Sequence, residues 1–93
     1  MNEANRDIRI LYTRDALKFL RRLDAKSVKR IRDAIRGLTL NPPVGDIKAL
    51  QGYQDNRKRL RVGGWRIIYR LESENKVEIL LILDIGNRGD IYK

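Results

Sequence analysis

The 93-residue chain contains no cysteine and no histidine, and only two prolines, one tryptophan and one phenylalanine. The missing cysteine excludes both a disulfide framework and a thiolate zinc site, and it suits a reducing cytosol. The missing histidine excludes an imidazole acid–base pair. Long apolar runs are absent too. The longest, Ile79 to Leu83, falls far short of the ~20 residues that span a bilayer. The first ten residues, MNEANRDIRI, lack the basic start and apolar stretch of a signal peptide. A cytoplasmic protein without a membrane partner is the expectation.

Positive charge is plentiful. The chain has 21 Lys and Arg against 12 Asp and Glu, a formal net charge of +9. Such an excess points to nucleic acid or an acidic protein as partner. The length corresponds to a single domain over residues 1–93, which buries about 60 to 70% of its unfolded surface around one small core.

Ile8, Ile10 and Tyr12 alternate with Arg9 and Leu11 as in a short strand. Thr13 then suits a helix cap, and Ala16, Phe19, Leu20 and Leu23 follow at helical spacing. Asp24 is the next cap. Val28, Ile31, Ile35 and Leu38 form the stripe of a second helix, expected to end near Gly37 to Leu40, before Asn41-Pro42-Pro43. Residues 14–36 hold nine cations against three aspartates, so the outer side of this helical pair is basic. Asn41 to Asp55 reads as a loop.

Strands follow. Trp65, Ile67, Tyr69 and Leu71 alternate with Arg66, Ile68 and Arg70, and after a polar turn at Glu72 to Asn75 the odd positions Val77, Ile79, Leu81 and Leu83 alternate likewise. The stretch from Ile79 to Leu83 is apolar on both faces, as in a central strand. The order β-α-α-β-β-β implies a small single α+β domain, with a two-helix hairpin packed on one face of an antiparallel sheet.

The window from Asn56 to Leu71 carries six Lys or Arg residues and no carboxylate, which points to a counter-charge from outside the chain. Gly63-Gly64 suits a two-residue primed turn. That turn sets Val62 opposite Trp65, Arg61 opposite Arg66, Leu60 opposite Ile67, Arg59 opposite Ile68 and Arg57 opposite Arg70. One face then collects Arg57, Arg59, Arg61, Arg66 and Arg70 around Ile68, while Lys58 points to the other unless a bulge rotates it. Like charges directly opposed are mildly destabilising, so the face is expected to bind an anion such as a phosphodiester, which guanidinium groups hold bidentately. Asp84 and Asp90 flank the last turn, too few carboxylates for a metal site. RNA cleavage by the substrate's own 2′-hydroxyl, with arginines stabilising the developing charge, remains as the fitting chemistry.

The basic strand, the sequence Gly64-Trp65-Arg66 with an apolar strand behind it, and the ending DIGNRGDIYK (Asp84 to Lys93) together resemble the RelE branch of the RelE/ParE toxin superfamily, from about Ile8 to Lys93. The resemblance implies a toxin of a toxin-antitoxin module: a metal-independent, ribosome-dependent endoribonuclease that cuts mRNA in the A site, needs no small-molecule cofactor and is neutralised by a cognate acidic antitoxin. By the same resemblance, Arg66 stabilises the scissile phosphate, Arg88 is a phosphate ligand and general acid, and Tyr92 orients or stacks on the mRNA base. Arg57 and Arg59 stand where characterised relatives can carry lysines, one of them proposed as general base. Arginine is effectively always protonated, so the base is left open, and Arg57 and Arg59 are expected as phosphate ligands beside the RNA-binding Arg61, Lys58 and Arg70. A ParE-like gyrase inhibitor and a noncatalytic RNA or ribosome binder are the alternatives.

Overall fold

The structure, a computed structural model, describes residues 8–87. It consists of β1 (Ile8–Tyr12), α1 (Arg14–Arg21), α2 (Ala25–Arg36) followed by a 3-10 turn (Gly37–Thr39), β2 (Asp46–Ala49), β3 (Lys58–Val62), β4 (Trp65–Glu74) and β5 (Val77–Asn87). The five strands form one sheet in the order β1-β5-β4-β3-β2. The expected α+β class and helical hairpin are present. Among the described residues, no helix is long and apolar enough to cross a membrane.

Three features depart from the sequence reading. The sheet is mixed, because β1 lies parallel to β5 while every other pair is antiparallel. A parallel neighbour requires a long crossover, and the helical pair begins one. Second, residues 46–49 of the expected loop form an edge strand on β3. Its sequence, Asp-Ile-Lys-Ala, is too short and polar to show a period, and its pairing with β3 makes it a strand. Third, β4 runs on to Glu74, and the turn is Asn75-Lys76, both with positive φ as a type I′ turn requires. Exposed strand ends bury neither face, so Glu72 to Glu74 read as turn.

The helices cover one face. Ala16 and Leu20 of α1, Ile31 and Ile35 of α2 and Leu38 of the 3-10 turn pack on Leu60, Val62, Ile67, Tyr69, Leu80, Ile82 and Ile85. Trp65 packs against this cluster with one side and lies 5.7 Å below the Arg30 guanidinium with its ring. Burial in the same layer pushes the Tyr69 phenol up to about 12, so it stays neutral at any ordinary pH. In β5 the even positions Leu80 and Ile82 enter the core rather than the odd ones. A strand apolar on both faces carries no periodicity to choose between them; its register with β1 and β4 decides.

That register contains one irregularity. Ile68 pairs with Asp84 and Tyr69 with Ile82, leaving Leu83 as the extra residue of a bulge. Thr13 pins it: its backbone N–H donates to the Ile82 carbonyl at 3.0 Å and its hydroxyl to the Leu83 carbonyl at 2.8 Å. The same hydroxyl accepts from the Ala16 N–H at 3.2 Å, capping α1. One side chain thus starts the first helix and locks the bulge. The bulge shifts the alternation so that Ile82 and Ile85 both face the helices, while Asp84 faces the other way.

Candidate nucleic-acid interface

The uncovered face of the sheet is read row by row. The β3–β4 register sets Val62 opposite Trp65, Arg61 opposite Arg66, Leu60 opposite Ile67 and Arg59 opposite Ile68, as the turn predicted. Only Gly63 of the glycine pair has a positive φ, +56, consistent with a type II′ turn. Adding the flanking strands gives two neighbouring rows. One runs Asp46, Arg61, Arg66, Gly86, and the other Lys48, Arg59, Ile68, Asp84. Lys58 pairs with Tyr69 and shares its face, exposed on the helix side. The bulge lies in β5 rather than β3, so nothing rotates Lys58 toward the arginines.

A cleft of about 1120 Å³ opens over this face, lined among others by Lys48, Tyr53, Arg57, Arg59, Arg61, Ile68 and Asp84. Its floor is unusual in charge and burial. Arg59 is only 4% exposed, and Arg66, on the same face but not lining the cleft, only 2%. Arg59 reaches Asp46 at 3.4 Å, but Asp46 is itself 57% exposed, and the Arg59 Nε is buried without a hydrogen-bond partner. Asp46 also draws Arg61, at 3.8 Å. One water-exposed carboxylate at long range is shared by two guanidinium groups, one of them buried, and a buried cation is costly unless well paired. The end of the cleft nearest Arg59 and Arg61 therefore carries positive charge that the described residues compensate only in part.

The other end is different. Arg57 donates to both carboxylate oxygens of Asp55, at 3.0 and 2.7 Å, and its guanidinium sits 4.2 Å over the Tyr53 ring. Arg70 donates to Asp55 at 2.7 Å and to Glu72 at 2.6 Å. Arg57 first, and Arg70 with it, hold the Asp55 carboxyl well below the usual carboxylate range. The counter-charge expected from outside the chain is here supplied from within, by Asp55 and Glu72 just beyond the carboxylate-free window. Charge counted along the sequence missed it because Asp55 and Glu72 flank the window by one residue on each side; only the Arg70–Asp55 contact, fifteen residues apart, needs the fold.

Arg57, Arg59, Arg61, Arg66 and Arg70 thus belong to one region, and Lys58 does not. Arg88 and Tyr92 lie outside the described residues, as does Asp90. Sequence reasoning missed Lys48 and Tyr53, which line the cleft from what read as loop; the β2 pairing that delivers Lys48 has no local signal. Among the described residues, no three His, Cys, Asp or Glu side chains gather as metal ligands.

An arginine-floored cleft on the open face of a helix-backed mixed sheet can be compared with known proteins. Residues 10–92 match the family described as the ParE toxin of type II toxin-antitoxin system, parDE. The chain belongs to this family of toxins, within the RelE/ParE superfamily. Solved structures with the same fold include a YoeB/ParE toxin from Agrobacterium tumefaciens (22% identity, TM-score 0.70, covering 86% of this chain and 98% of that one). An archaeal RelE–RelB complex from Pyrococcus horikoshii shares 26% identity at TM-score 0.66, covering 90% and 98%. A RelB–RelE antitoxin–toxin complex from Methanococcus jannaschii shares 25% at TM-score 0.64, covering 88% and 94%. No curated protein matches by sequence. The toxin therefore carries its arginine face on a sheet shared with both RelE and ParE relatives.

Proposed function

We propose that this toxin is a ribosome-dependent mRNA endoribonuclease that cuts in the A site by attack of the 2′-hydroxyl on the adjacent phosphate, acting in the cytoplasm and inhibiting translation. The observation that carries the reading is Arg59, a nearly buried guanidinium with an unpartnered Nε, at the floor of a cleft that also holds Arg61. A phosphodiester entering there supplies the close anion that Asp46 does not, and the charge that builds on phosphorus during attack strengthens the interaction. Arg66 completes the row beside Arg61, and Arg88 and Tyr92 act from the carboxy-terminal segment in the roles that the family resemblance gives them. Arg57 and Arg70, held by Asp55, shape the cleft wall. Free RNA is a poor substrate, because the site relies on the ribosome to bring the 2′-hydroxyl into line.

The partner that restrains the toxin is an acidic cognate antitoxin, supported by the complexes among its structural relatives and by the net charge of +9. The test is cleavage of mRNA on programmed ribosomes without added metal. The expected products end in a 2′,3′-cyclic phosphate and a 5′-hydroxyl at the A-site codon. Cleavage of an mRNA with a 2′-deoxy nucleotide at the scissile position would falsify the mechanism. The family match to ParE favours a second reading, gyrase inhibition through protein contact. It predicts intact mRNA and a loss of gyrase supercoiling in the same preparation.

A further inference from the structure

A 2′-hydroxyl becomes a nucleophile only when something takes its proton, and the arginines of the cleft cannot. Guanidinium groups have no acceptor, and the chain has no histidine or cysteine. Beside the Gln51 amide and the Tyr53 phenol, whose ring lies under the Arg57 guanidinium, the acceptor side chains among the described residues around the cleft are carboxylates. Asp46 and Asp55 are engaged by arginines, and those around Asp55 stabilise its ionised form and weaken it as a base. Asp15 lines the cleft from the first turn of α1, outside the sheet rows that hold the arginines. Asp84, like Asp15, is exposed and has no hydrogen-bond or ion-pair partner for its side chain among the described residues, but it stands in the same sheet row as Arg59 and lines the same cleft as Arg59 and Arg61.

Its position is also built. Asp84 ends the row Lys48, Arg59, Ile68, Asp84. Neighbouring strands lie about 4.8 Å apart, so the Cα atoms of Arg59 and Asp84, two strands from each other, are separated by roughly 10 Å. Ile68, 5% exposed, forms an apolar floor between them. The Leu83 bulge, pinned by Thr13, turns Asp84 toward the arginines while Ile82 and Ile85 stay in the core. Bulges commonly re-aim a side chain beside an active site.

We infer that Asp84 is the general base of the cleavage reaction, a role that rests on the proposed ribonuclease reading. With the phosphate at Arg59 and Arg61 and the chain crossing Ile68, the 2′-hydroxyl on the near side faces Asp84. The carboxylate takes the hydroxyl proton as the O2′–P bond forms. The P–O5′ bond breaks with its electron pair on O5′, which takes a proton from the general acid of the proposed reaction, itself reprotonated from solvent. Asp84 then returns its proton to solvent, so the reaction consumes no co-reactant.

The test is single-turnover cleavage on programmed ribosomes with Asp84→Asn, which keeps shape and loses the acceptor carboxylate. Its rate is expected to fall about 10² to 10⁴-fold, with ribosome binding and melting temperature unchanged and Asp84→Glu restoring much of the rate. A scissile nucleotide whose 5′ oxygen is replaced by sulfur leaves without protonation, so this substrate should not rescue Asp84→Asn. Wild-type rate in Asp84→Asn, full rescue by the sulfur substrate, or a defect confined to binding would each overturn the assignment. If Asp84→Asn proves unstable, Asp84→Ser is read by the same criteria. Wild-type protein that cuts nothing defeats the ribonuclease reading itself, a result distinct from a wild type that cuts and an Asp84→Asn variant that cuts equally well.

Discussion

Arg57 and Arg59 are two residues apart and line the same cleft, yet their surroundings are opposite. Arg57 is half-buried, doubly hydrogen-bonded to Asp55 and stacked on Tyr53. Arg59 is almost wholly buried, with one long contact to a shared carboxylate and an unpartnered Nε. The same division runs across β4, where Arg70 is tied to Asp55 and Glu72. Among the described residues, one end of the arginine face is compensated by close carboxylates, while Arg59 has one long contact. Identical residue types on one face therefore divide into a closely paired wall and an incompletely paired floor. A buried charge left under-compensated costs stability, and in the proposed function an entering phosphate offsets that cost.

The largest test of this division exchanges Arg59 for an apolar side chain of similar length. Arg59→Met is expected to lower ribosome-dependent cleavage about 10² to 10³-fold, by analogy with losing one donor to a developing oxyanion. It should leave the melting temperature unchanged or raise it, because an incompletely paired buried cation is often replaced by an apolar group without loss. A large drop in thermal stability would show that Arg59 is structurally satisfied and break the contrast.

Arg70→Met should give the reverse pattern: cleavage close to wild type in single-turnover assays and a lower melting temperature, since Asp55 and Glu72 each lose a donor. If it abolishes cleavage on ribosomes while the fold survives, the wall itself binds substrate and the division fails.

The Asp55 end also predicts a pH dependence. Its carboxyl is held below the ordinary value of about 4. A depressed carboxylate contributes stability that is fully present above the unfolded-state value and lost as pH falls toward the folded one. Denaturant unfolding between pH 6 and pH 2, conditions chosen for the measurement around the reference values, should therefore show wild type losing stability below about pH 4. Asp55→Asn, less stable at neutral pH, should show a shallower loss; parallel curves would remove Asp55 from the account.

The smallest effect concerns the turn that sets both rows. Gly63→Ala must place a β-carbon at φ +56, 2.9 Å from the Arg30 Nη2. It should cost about 1 kcal/mol in unfolding free energy, with the arginine register and cleavage retained. Gly64→Ala meets nothing within 4 Å and should be silent in the same measurement.

Legibility along the chain followed the range of the interactions involved. The strand–helix–helix start was readable because caps and apolar stripes are local: Thr13 and Asp24 stand where helices begin, and Ala16, Leu20, Ile31 and Ile35 fall where a buried stripe must. The Arg61–Arg66 pairing was readable too, since a two-residue turn dictates register and register dictates face. Contacts made across long loops were not. Arg70 reaches Asp55 only because the fold closes the loop onto the sheet, and Lys48 joins the row of Arg59 only because β2 adds to its edge.

The sequence by itself determined the α+β class, the helical hairpin, the cationic face and the family resemblance, because each depends on periodicity, turn chemistry or composition within a short span. Tertiary structure alone decided that β1 runs parallel to β5, that Leu83 bulges so that Asp84 turns to the arginines, and which guanidinium groups are already paired. The physical reason is that charge compensation and strand parity depend on distance in space: a carboxylate thirteen residues from Arg59 or fifteen from Arg70 becomes its neighbour only after the sheet has formed.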